Sequence, residues 1–461
     1  MKTHHYLKRV TVVTLLASLT SLLLACGGGG GDSGSDASAS SSGTSSSGTS
    51  SSGTSSSGTS NSDTSSSGTS SSGTSNTGTS SSGTVKVTQL TMSSAHTCAL
   101  KADGGVRCWG QRGSVSSDGT KYGLLGDGSE FSASASGPVD VKGLTSGVLS
   151  ISAGYFHTCA ITASGVKCWG NNDQGQLGDG SLLAKNEPTG VTGLISNIAS
   201  IATASESSCA LTKDGAVKCW GSNKIGAVGN SASFDQHPVL SPANVAGLTS
   251  GVNALSTSSQ GLHFMCAHKT APKNEIRCWG ANGRGQLGDS GTISSPTPTA
   301  ATLNNASKVT AISQQVASTC VLMDGRVKCW GSNSFGNLGT GNVGGETADA
   351  RDAIDVIGLK DIAAIASGGH HACALTSAGG VKCWGLNTSG ELGDGSAGPW
   401  SPVPVDVLGL SSGVVAIAAG PNHTCAAMAA GGVKCWGRND FNQLGNGKST
   451  NSSTPVDVVG L

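Results

Sequence analysis

The fold is decided by residues 423–445, which read HTCAAMAAGGVKCWGRNDFNQLG. A short run holding Cys425 and a second run holding Cys435 flank a turn rich in glycine. Short runs of alternating character on either side of a Gly-containing turn are typical of a β-hairpin. This stretch therefore predicts two antiparallel strands with one cysteine on each, followed by a tight turn over Asn442–Gly445.

The same unit recurs along the chain. Cys-Trp-Gly begins at seven cysteines, separated by 60, 51, 59, 51, 54 and 52 residues: Cys108, Cys168, Cys219, Cys278, Cys329, Cys383 and Cys435. A second cysteine lies 9 to 12 residues before each of them: Cys98, Cys159, Cys209, Cys266, Cys320, Cys373 and Cys425. Periods of about 50 residues indicate a repeat architecture.

Each repeat has room for four short strands. In the last repeat they are predicted over 414–418, 423–427, 432–436 and 455–459. Four strands per unit, seven times over, predict an all-β chain with a single seven-bladed β-propeller of four-stranded blades. A linear β-solenoid is the alternative, although its repeats are usually shorter. The expected repeats are 85–144, 145–194, 195–248, 249–303, 304–359, 360–410 and 411–461.

The Cys-Trp-Gly run and the Gly-Gln-Leu-Gly turn resemble the repeats of the regulator-of-chromosome-condensation family. The turn is seen at Gly175–Gly178, Gly285–Gly288 and Gly390–Gly393. The resemblance covers residues 85–461 and implies one seven-bladed propeller, in a secreted or lipoprotein member from a bacterium. Departures from the pattern exist: repeat three has Gly226-Ala227-Val228-Gly229, and repeat seven has Asn442 in place of the first glycine.

The spacing of the cysteines predicts one disulfide within each blade. In the first repeat, Cys98 opposite Cys108 places Leu100 opposite Val106, since opposed residues in an antiparallel pair have a constant sum. Directly opposed residues have Cα atoms about 4.5–5.5 Å apart, which suits a disulfide. The predicted pairs are Cys98–Cys108, Cys159–Cys168, Cys209–Cys219, Cys266–Cys278, Cys320–Cys329, Cys373–Cys383 and Cys425–Cys435. Zinc is the rival explanation, but the close Cys-x2–4-Cys spacing of structural zinc sites is not found.

The chain has 15 cysteines, and the odd one is Cys26. Lys2, Lys8 and Arg9 precede an apolar stretch over 10–24, which is typical of a signal peptide. The sequence Leu-Leu-Ala-Cys-Gly at 23–27 resembles the lipobox of bacterial lipoproteins, which implies cleavage before Cys26 and its lipidation. Residues 1–25 are therefore the predicted lipoprotein signal peptide. The resemblance implies an extracytoplasmic location in the bacterial cell envelope, at the outer membrane or cell surface.

Residues 26–84 form the predicted tether, which is almost entirely Ser, Gly and Thr after the lipidated cysteine. A segment with so few apolar residues is expected to stay disordered because it buries nothing that offsets the entropy of ordering. About 58 residues of such chain span roughly 40 Å. The tether would hold the domain away from its anchor.

Charge and motifs exclude several classes of function. The chain carries 27 basic and 27 acidic residues, with no basic cluster after the first nine residues, which argues against a nucleic-acid partner. His-Glu-x-x-His and phosphate-loop motifs are missing from the sequence. We therefore expect a protein that is not an enzyme, has no catalytic residues and needs no metal or cofactor.

Residues that recur with the repeat are interpreted as structural. The Trp of each Cys-Trp pair should pack between blades, on the opposite side of the strand from the cysteine. Asp-Gly pairs such as Asp179-Gly180 are interpreted as turns. His263, Cys266 and His268 look like a metal cluster, which a Cys266–Cys278 disulfide would rule out. Four histidines precede the first cysteine of their repeats and should each make a local backbone hydrogen bond: His96, His157, His371 and His423.

Residues that break the repeat are the candidates for binding. Trp400 is the only tryptophan of the domain outside a Cys-Trp pair, in a loop that should be exposed; it either anchors a partner or packs as a lid on a neighbouring loop. Longer loops are expected at Gln111–Tyr122 and Asn342–Ala353. The full set of candidate binding residues is Trp400, Phe131, Phe234, His237 and Tyr122.

These observations favour a surface-tethered, non-enzymatic binding scaffold that is monomeric, contacts the membrane through its lipid only and binds a protein or glycan partner of the envelope. The family resemblance implies a second function, guanine-nucleotide exchange on a small GTPase, but an exported protein does not meet a cytosolic GTPase. A hydrolase or lyase acting on envelope polymers is the third alternative. It would need convergent carboxylates on one face.

Overall fold

The computed structural model describes residues 85–461 except 116–118, 130–133, 231–233, 235–236, 257–262, 304–308, 345–348 and 397. The predicted signal peptide, Cys26 and the tether lie outside the described residues. Within the described ranges, no helix is long and apolar enough to span a membrane.

The described residues form seven four-stranded antiparallel sheets, each made of consecutive strands, which we call blades 1–7. The strands of a blade are named A, B, C and D in chain order. The A strands lie side by side around a centre, and the A strand of blade 1 neighbours those of blades 2 and 7. The ring is therefore closed, and the prediction of an all-β, seven-bladed propeller is confirmed.

Blades 1 and 2 contain β1 (Val87–Met92), β2 (His96–Lys101), β3 (Val106–Gly110), β4 (Gly113–Val115), β5 (Lys121–Gly123), β6 (Val139–Asp140), β7 (Val148–Ala153), β8 (His157–Thr162), β9 (Gly165–Gly170) and β10 (Lys185–Gly190). Strands β4 and β5 form an extra hairpin between the C and D strands of blade 1.

Blades 3 to 5 contain β11 (Ile198–Thr203), β12 (Ser207–Thr212), β13 (Val217–Gly221), β14 (Val239–Asn244), β15 (Val252–Leu255), β16 (Phe264–Lys269), β17 (Glu275–Gly280), β18 (Ser295–Ala300), β19 (Val309–Gln314), β20 (Ser318–Met323), β21 (Arg326–Gly331) and β22 (Ala350–Asp355). A 3-10 turn covers Lys224–Gly226.

Blades 6 and 7 contain β23 (Ile362–Ser367), β24 (His371–Thr376), β25 (Val381–Leu386), β26 (Trp400–Asp406), β27 (Val414–Ala419), β28 (His423–Met428), β29 (Val433–Gly437) and β30 (Ser452–Asp457). The last strand starts before Pro455 and ends at Asp457, so the strand predicted over 455–459 is shifted.

The seven predicted disulfides are present in the structure, with Cα–Cα distances of 4.0–4.1 Å. In every blade the two cysteines are directly opposed across strands B and C, as Cys98 and Cys108 are in blade 1. The disulfide of each blade packs with the tryptophan of the next, for example Cys159–Cys168 with Trp220. Cysteine and tryptophan therefore face opposite neighbours, as strand alternation predicts.

The tryptophans also bond the blades to one another. Each indole Nε1 donates a hydrogen bond of 2.8–3.1 Å to a backbone carbonyl in the preceding blade, such as Trp220 to Gln176. The last glycine of the turn, Gly178 in blade 2, has φ +68, and a Cβ there would lie 2.6 Å from the Nε1 of Trp220. Glycine is needed at this position for both reasons.

Candidate binding face

The antiparallel order of the strands divides the connections between two ends of the propeller. All A–B and C–D connections lie at one end, which we call the upper face, and all B–C and D–A connections lie at the other, the lower face. Trp400, Phe234 and His237 all lie at the upper face. Topology therefore brings three predicted candidates to one side. Phe131 lies outside the described residues.

Trp400 is the first residue of β26 and pairs with Leu386 of β25. Its side chain is 44% exposed. The neighbouring backbone is held by a hydrogen bond of 2.9 Å from the Asn387 N–H to the Pro399 carbonyl. The residue thus presents a large apolar surface from an ordered strand end. Of the two roles left open by the sequence, this geometry suits an anchor better than a packed lid.

Phe234 is 50% exposed, and His237 is exposed beside it. Tyr122 is not available to a partner, and its selection as a binding residue is wrong. It belongs to strand β5 of the extra hairpin and is only 1% exposed. Its hydroxyl accepts a hydrogen bond of 3.1 Å from the Asn171 side chain of blade 2. Tyr122 therefore fastens the long blade 1 connection onto its neighbour.

The aromatic residues of the propeller are distributed asymmetrically. In the described part of the chain, every Phe, Tyr or Trp side chain that is not buried lies at the upper face: Tyr155, Phe156, Phe234, Phe335, Trp400 and Phe441. The described connections of the lower face contain no aromatic residue. Sequence reasoning missed four of these six, although Phe156 could have been found because it precedes His157 where other repeats carry Ala, Glu, His or Asn.

Ring contacts and backbone bonds hold this face in place. Tyr155 and Phe156 make an edge-to-face contact with centroids 4.4 Å apart, and Phe335 of blade 5 contacts the His370 ring of blade 6 at 4.9 Å. The backbone N–H of Tyr155 donates to the carbonyl of Ser205 in blade 3 at 3.2 Å. Neighbouring A–B turns are thus linked, which favours a preformed surface.

Charged groups on the upper face are mostly paired. Lys224 contacts Glu206 at 3.3 Å, and Arg438 contacts Asp440 at 2.6 Å. Burial lowers the pKa of His370, which keeps this imidazole neutral at pH 7. On a surface of paired charges and neutral rings, a partner would make apolar contacts and hydrogen bonds. Such a surface does not exert a strong electrostatic attraction.

The repeated histidines have a different role from the one predicted. Each Nε2 bonds a hydroxyl in the next blade at 2.8–2.9 Å, as His157 does with Ser208, and not the local backbone. The Ser208 hydroxyl in turn donates to the Gln176 carbonyl that also accepts the Trp220 indole. Complete burial lowers the pKa of the four histidines to about 3. They are neutral interblade connectors.

The suspected metal cluster is not assembled. Cys266 is bonded to Cys278, and His268 contacts Asn274 at 2.5 Å. No group of three His, Cys, Asp or Glu side chains stands close enough to hold a metal ion among the described residues. Asp179 accepts hydrogen bonds from the N–H and the hydroxyl of Ser181, which is the geometry of a turn.

One carboxyl group has an altered environment. Burial raises the pKa of Glu391, which is typical of a general acid. Its side chain is 0% exposed, however, and its Oε2 accepts the Ser389 N–H at 2.7 Å. Its backbone carbonyl accepts the Trp436 indole at 2.8 Å. Glu391 occupies the place of Gln176 in the repeat, so it is a core position without access to a substrate.

A cavity of about 250 Å³ lies between the A strands at the centre of the ring. Its walls are mainly Ile, Ala, Ser and Thr side chains such as Ile151, Ser313 and Ile417. The lining holds no ionisable side chain. The Ser and Thr hydroxyls of the lining have no ionisable side chain beside them in the cavity to act as a base, so the composition suits binding better than catalysis.

Two models of the regulator of chromosome condensation (RCC1) repeat match this chain, one at residues 87–114, 148–176, 362–391 and 414–443, the other at 166–211, 378–427 and 430–461. The RCC1 domain-containing protein RUG3 of Arabidopsis thaliana, a mitochondrial protein, is 31% identical over 332 residues, which are 67% of this chain and 70% of that protein. The ultraviolet-B receptor UVR8 of the same plant is 27% identical over 316 residues, covering 68% of this chain and 70% of the receptor.

Among solved structures, Prp20p of Saccharomyces cerevisiae is similar, with a TM-score of 0.56 and 22% identity over 68% of this chain and 76% of the yeast chain. At this identity the likeness concerns the fold alone.

Proposed function

This chain belongs to the regulator of chromosome condensation repeat family, and from that premise we propose that it is a non-enzymatic binding propeller, tethered to the bacterial cell envelope through a lipid on Cys26, whose upper face holds a protein or glycan partner. The two relatives of which this chain covers 70% are named as a receptor and as an RCC1 domain-containing protein, which supports a binding role.

The observation that carries the proposal is the gathering of all half-exposed aromatic side chains on one face of a rigid ring. Aromatic anchors contribute a large share of binding energy in protein interfaces, and rigid anchors lose little entropy when they bind. The described connections of the lower face, built on the same scaffold, carry no aromatic residue, and their exposed apolar side chains are aliphatic, such as Ile195, Leu408 and Val459. A partner that uses aromatic anchors would therefore bind the upper face.

The point at which the tether joins the domain is compatible with a partner at the upper face. Strand β1 runs from the lower to the upper face, so Val85, which precedes it, lies at the lower face. The Ser/Gly/Thr stretch of residues 26–84 joins the domain there. The point where the chain enters the domain therefore does not occupy the upper face.

The kind of partner follows from the proposed location in the cell envelope. Prp20p is described by its binding to Gsp1p and histones. An exported, disulfide-bonded chain works in an oxidising compartment, where such partners are not found. We assign this chain a partner of the envelope or its surroundings. The paired charges of the upper face favour a partner that offers apolar or uncharged polar groups.

The test is site-specific photo-crosslinking of the full chain in the cells that make it. A photoreactive residue is placed at Trp400, Phe234 or Tyr155 on the upper face, and at Ile195 or Val459 on the lower face. These two control positions are 72% and 61% exposed, so they are at least as accessible as the test positions. We expect a discrete adduct from the upper set and none from the lower set.

A second variant tests the anchor itself. Trp400→Ala should remove the adduct formed from Phe234 while leaving the thermal unfolding of the domain unchanged within error, because a 44% exposed side chain adds little to the core. Equal crosslinking from both faces, or a hydrolytic activity towards envelope polymers, would refute the proposed function.

A further inference from the structure

The D strands form the outer edge of every blade, since each sheet ends on them. An edge strand presents unpaired N–H and C=O groups and invites pairing with another chain. Proline blocks such pairing because it has no N–H to donate. The distribution of proline among the seven D strands therefore shows which edges are closed.

In each blade one D-strand residue lies opposite the cysteine of strand C. In six blades the residue immediately before it is proline. These prolines are Pro138, Pro188, Pro242, Pro298, Pro404 and Pro455. In blade 5 the residue facing Cys329 is Ile354, and the position before it is Ala353. Strand β22, from Ala350 to Asp355, contains no proline at all.

The N–H of Ala353 points away from its own sheet. Val356 donates its N–H to the Val327 carbonyl of β21 at 2.9 Å, and Ile354 lies opposite Cys329. Alternation along the strand turns the intervening N–H groups outwards. The other blades agree with this orientation of the N–H. They carry proline at the same position, and proline has no N–H with which to bond the C strand. Ala353 thus adds one outward donor that the other six edges lack.

The edge of blade 5 also presents an exposed apolar side chain. Ile354 is 36% exposed, whereas its six counterparts are all half-buried. Arg351, Asp352 and Asp355 are exposed on the same strand. A groove of about 230 Å³ runs beside Ala353, bounded by Ser290, Thr302, Leu303, Lys328 and Asp352. An incoming strand would find both free backbone groups and room for side chains.

The charges of β22 suit a second copy of the same strand. Arg351 stands near its start and Asp355 at its end. Antiparallel pairing centred on Ala353 places Arg351 of each strand directly opposite Asp355 of the other, which also contacts Lys328 of its own blade at 2.9 Å. Parallel in-register pairing would instead place like charges together. In the antiparallel register Ile354 of each copy lies opposite Asp352 of the other and diagonal to its own equivalent.

We propose that β22 pairs antiparallel with β22 of a second copy, so that two propellers associate edge to edge as a symmetric dimer. This proposal departs from the expected monomer, because the edge of blade 5 lacks the proline that the other six edges carry. The two upper faces point in opposite directions in this dimer and stay accessible. The dimer is therefore independent of the proposed partner binding.

The test replaces Ala353 by the residue that the other blades use. The full, oxidised chain in a density-matched detergent is studied by sedimentation velocity from micromolar to hundreds of micromolar concentration. We expect a concentration-dependent shift from monomer to twice the monomer mass. Ala353→Pro should abolish the shift, while Ala353→Ser, which keeps the N–H, should retain it. Far-ultraviolet circular dichroism and thermal melting verify that both variants fold.

Exchange of the two charges tests whether the strand that pairs with β22 is β22 of a second copy. Arg351→Asp and Asp355→Arg should each weaken dimerisation, and the double variant should restore it, because only a self-complementary pairing recovers both contacts. If the Ala353→Pro variant does not fold, the Arg351 and Asp355 variants test the dimer by themselves. A wild-type chain that stays monomeric throughout, a dimer that survives Ala353→Pro, or an edge that accepts only a foreign extended peptide would overturn the proposal.

Discussion

Substitution of Gly178 by alanine should disrupt a contact that all seven blades share. The residue has φ +68, and an added Cβ would lie 2.6 Å from Nε1 and 2.7 Å from Cδ1 of Trp220. This indole donates its hydrogen bond of 2.9 Å to the Gln176 carbonyl. The methyl group and the indole cannot occupy these positions together, so the ring must move and the interblade bond must lengthen.

Three costs add at this position. The left-handed conformation costs about 1–2 kcal/mol for a residue with a Cβ. Forcing an extra methyl into a packed interface costs about 1–3 kcal/mol, and loss of the indole hydrogen bond about 0.5–1.5 kcal/mol. Gly178→Ala should therefore lower the free energy of unfolding by about 3–6 kcal/mol.

Gly180 provides the matched control in the same connection. Its φ is +84, but nothing lies within 4 Å of an added Cβ. Gly180→Ala should therefore cost only the backbone term of about 1–2 kcal/mol. Guanidinium unfolding of the oxidised full chain, followed by tryptophan fluorescence, compares the two variants. Equal losses of stability would show that the contact between Gly178 and Trp220 does not constrain the blade interface.

Three further perturbations test other parts of the structure. Acid should destabilise the propeller through the interblade histidines: burial lowers their pKa from 6.5 to about 3, so the unfolded chain binds more protons and stability, complete above pH 6.5, is lost as the pH falls towards 3. His423→Gln should reduce the slope of the unfolding midpoint against pH in this range, and an unchanged slope would contradict the assignment. Replacing Cys373 and Cys383 together by alanine should cost about 2–3 kcal/mol, because each disulfide closes a short loop; the guanidinium midpoint measures this, and no change would mean that the blade hairpin does not need its bond. Tyr122→Phe should cost about 0.5–1.5 kcal/mol by removing the hydroxyl that accepts from Asn171, and should leave the Trp400-dependent crosslinking intact; loss of the adduct would restore Tyr122 as a binding residue.

The repeat made most of the fold predictable from the sequence. The constant sum of opposed residues placed Cys98 opposite Cys108 and Leu100 opposite Val106, and both pairs are found in β2 and β3. Such predictions succeed because hairpin contacts are local and every repeat tests the same register. Strand ends were less certain: the loop expected over Asn342–Ala353 ends in β22, since residues without a turn signal extend the ladder of blade 5.

Contacts between blades could not be obtained in the same way. The predicted local bond of His423 is in fact made to Thr97, 326 residues away, and Tyr122 is buried by Asn171 of the next blade. Neither the separation of two residues in the sequence nor the repeat period predicts which side chain of a neighbouring blade a residue will contact. The upper face was only partly recognised for the same reason: Phe156, Phe335 and Phe441 belong to different repeats and become one surface only when the ring closes.

The interface between blades 7 and 1, which closes the ring, uses the same kinds of interblade bond as covalently connected blades do. Each blade is built from its own consecutive strands, so no strand is exchanged between blades 7 and 1, and this interface is held by side-chain and backbone contacts alone. Here His423 bonds Thr97 at 2.9 Å, the Trp109 indole bonds the Gln443 carbonyl at 3.0 Å, and Arg107 bonds the Gly460 carbonyl at 2.9 Å. The interblade histidine bond requires a small residue three positions before the histidine and a hydroxyl on the next blade. Both conditions are met at the closing interface and at those beside it. One histidine bond therefore lies at the interface that closes the ring, where no covalent connection joins the blades, and the other three lie between blades that a D–A connection also joins.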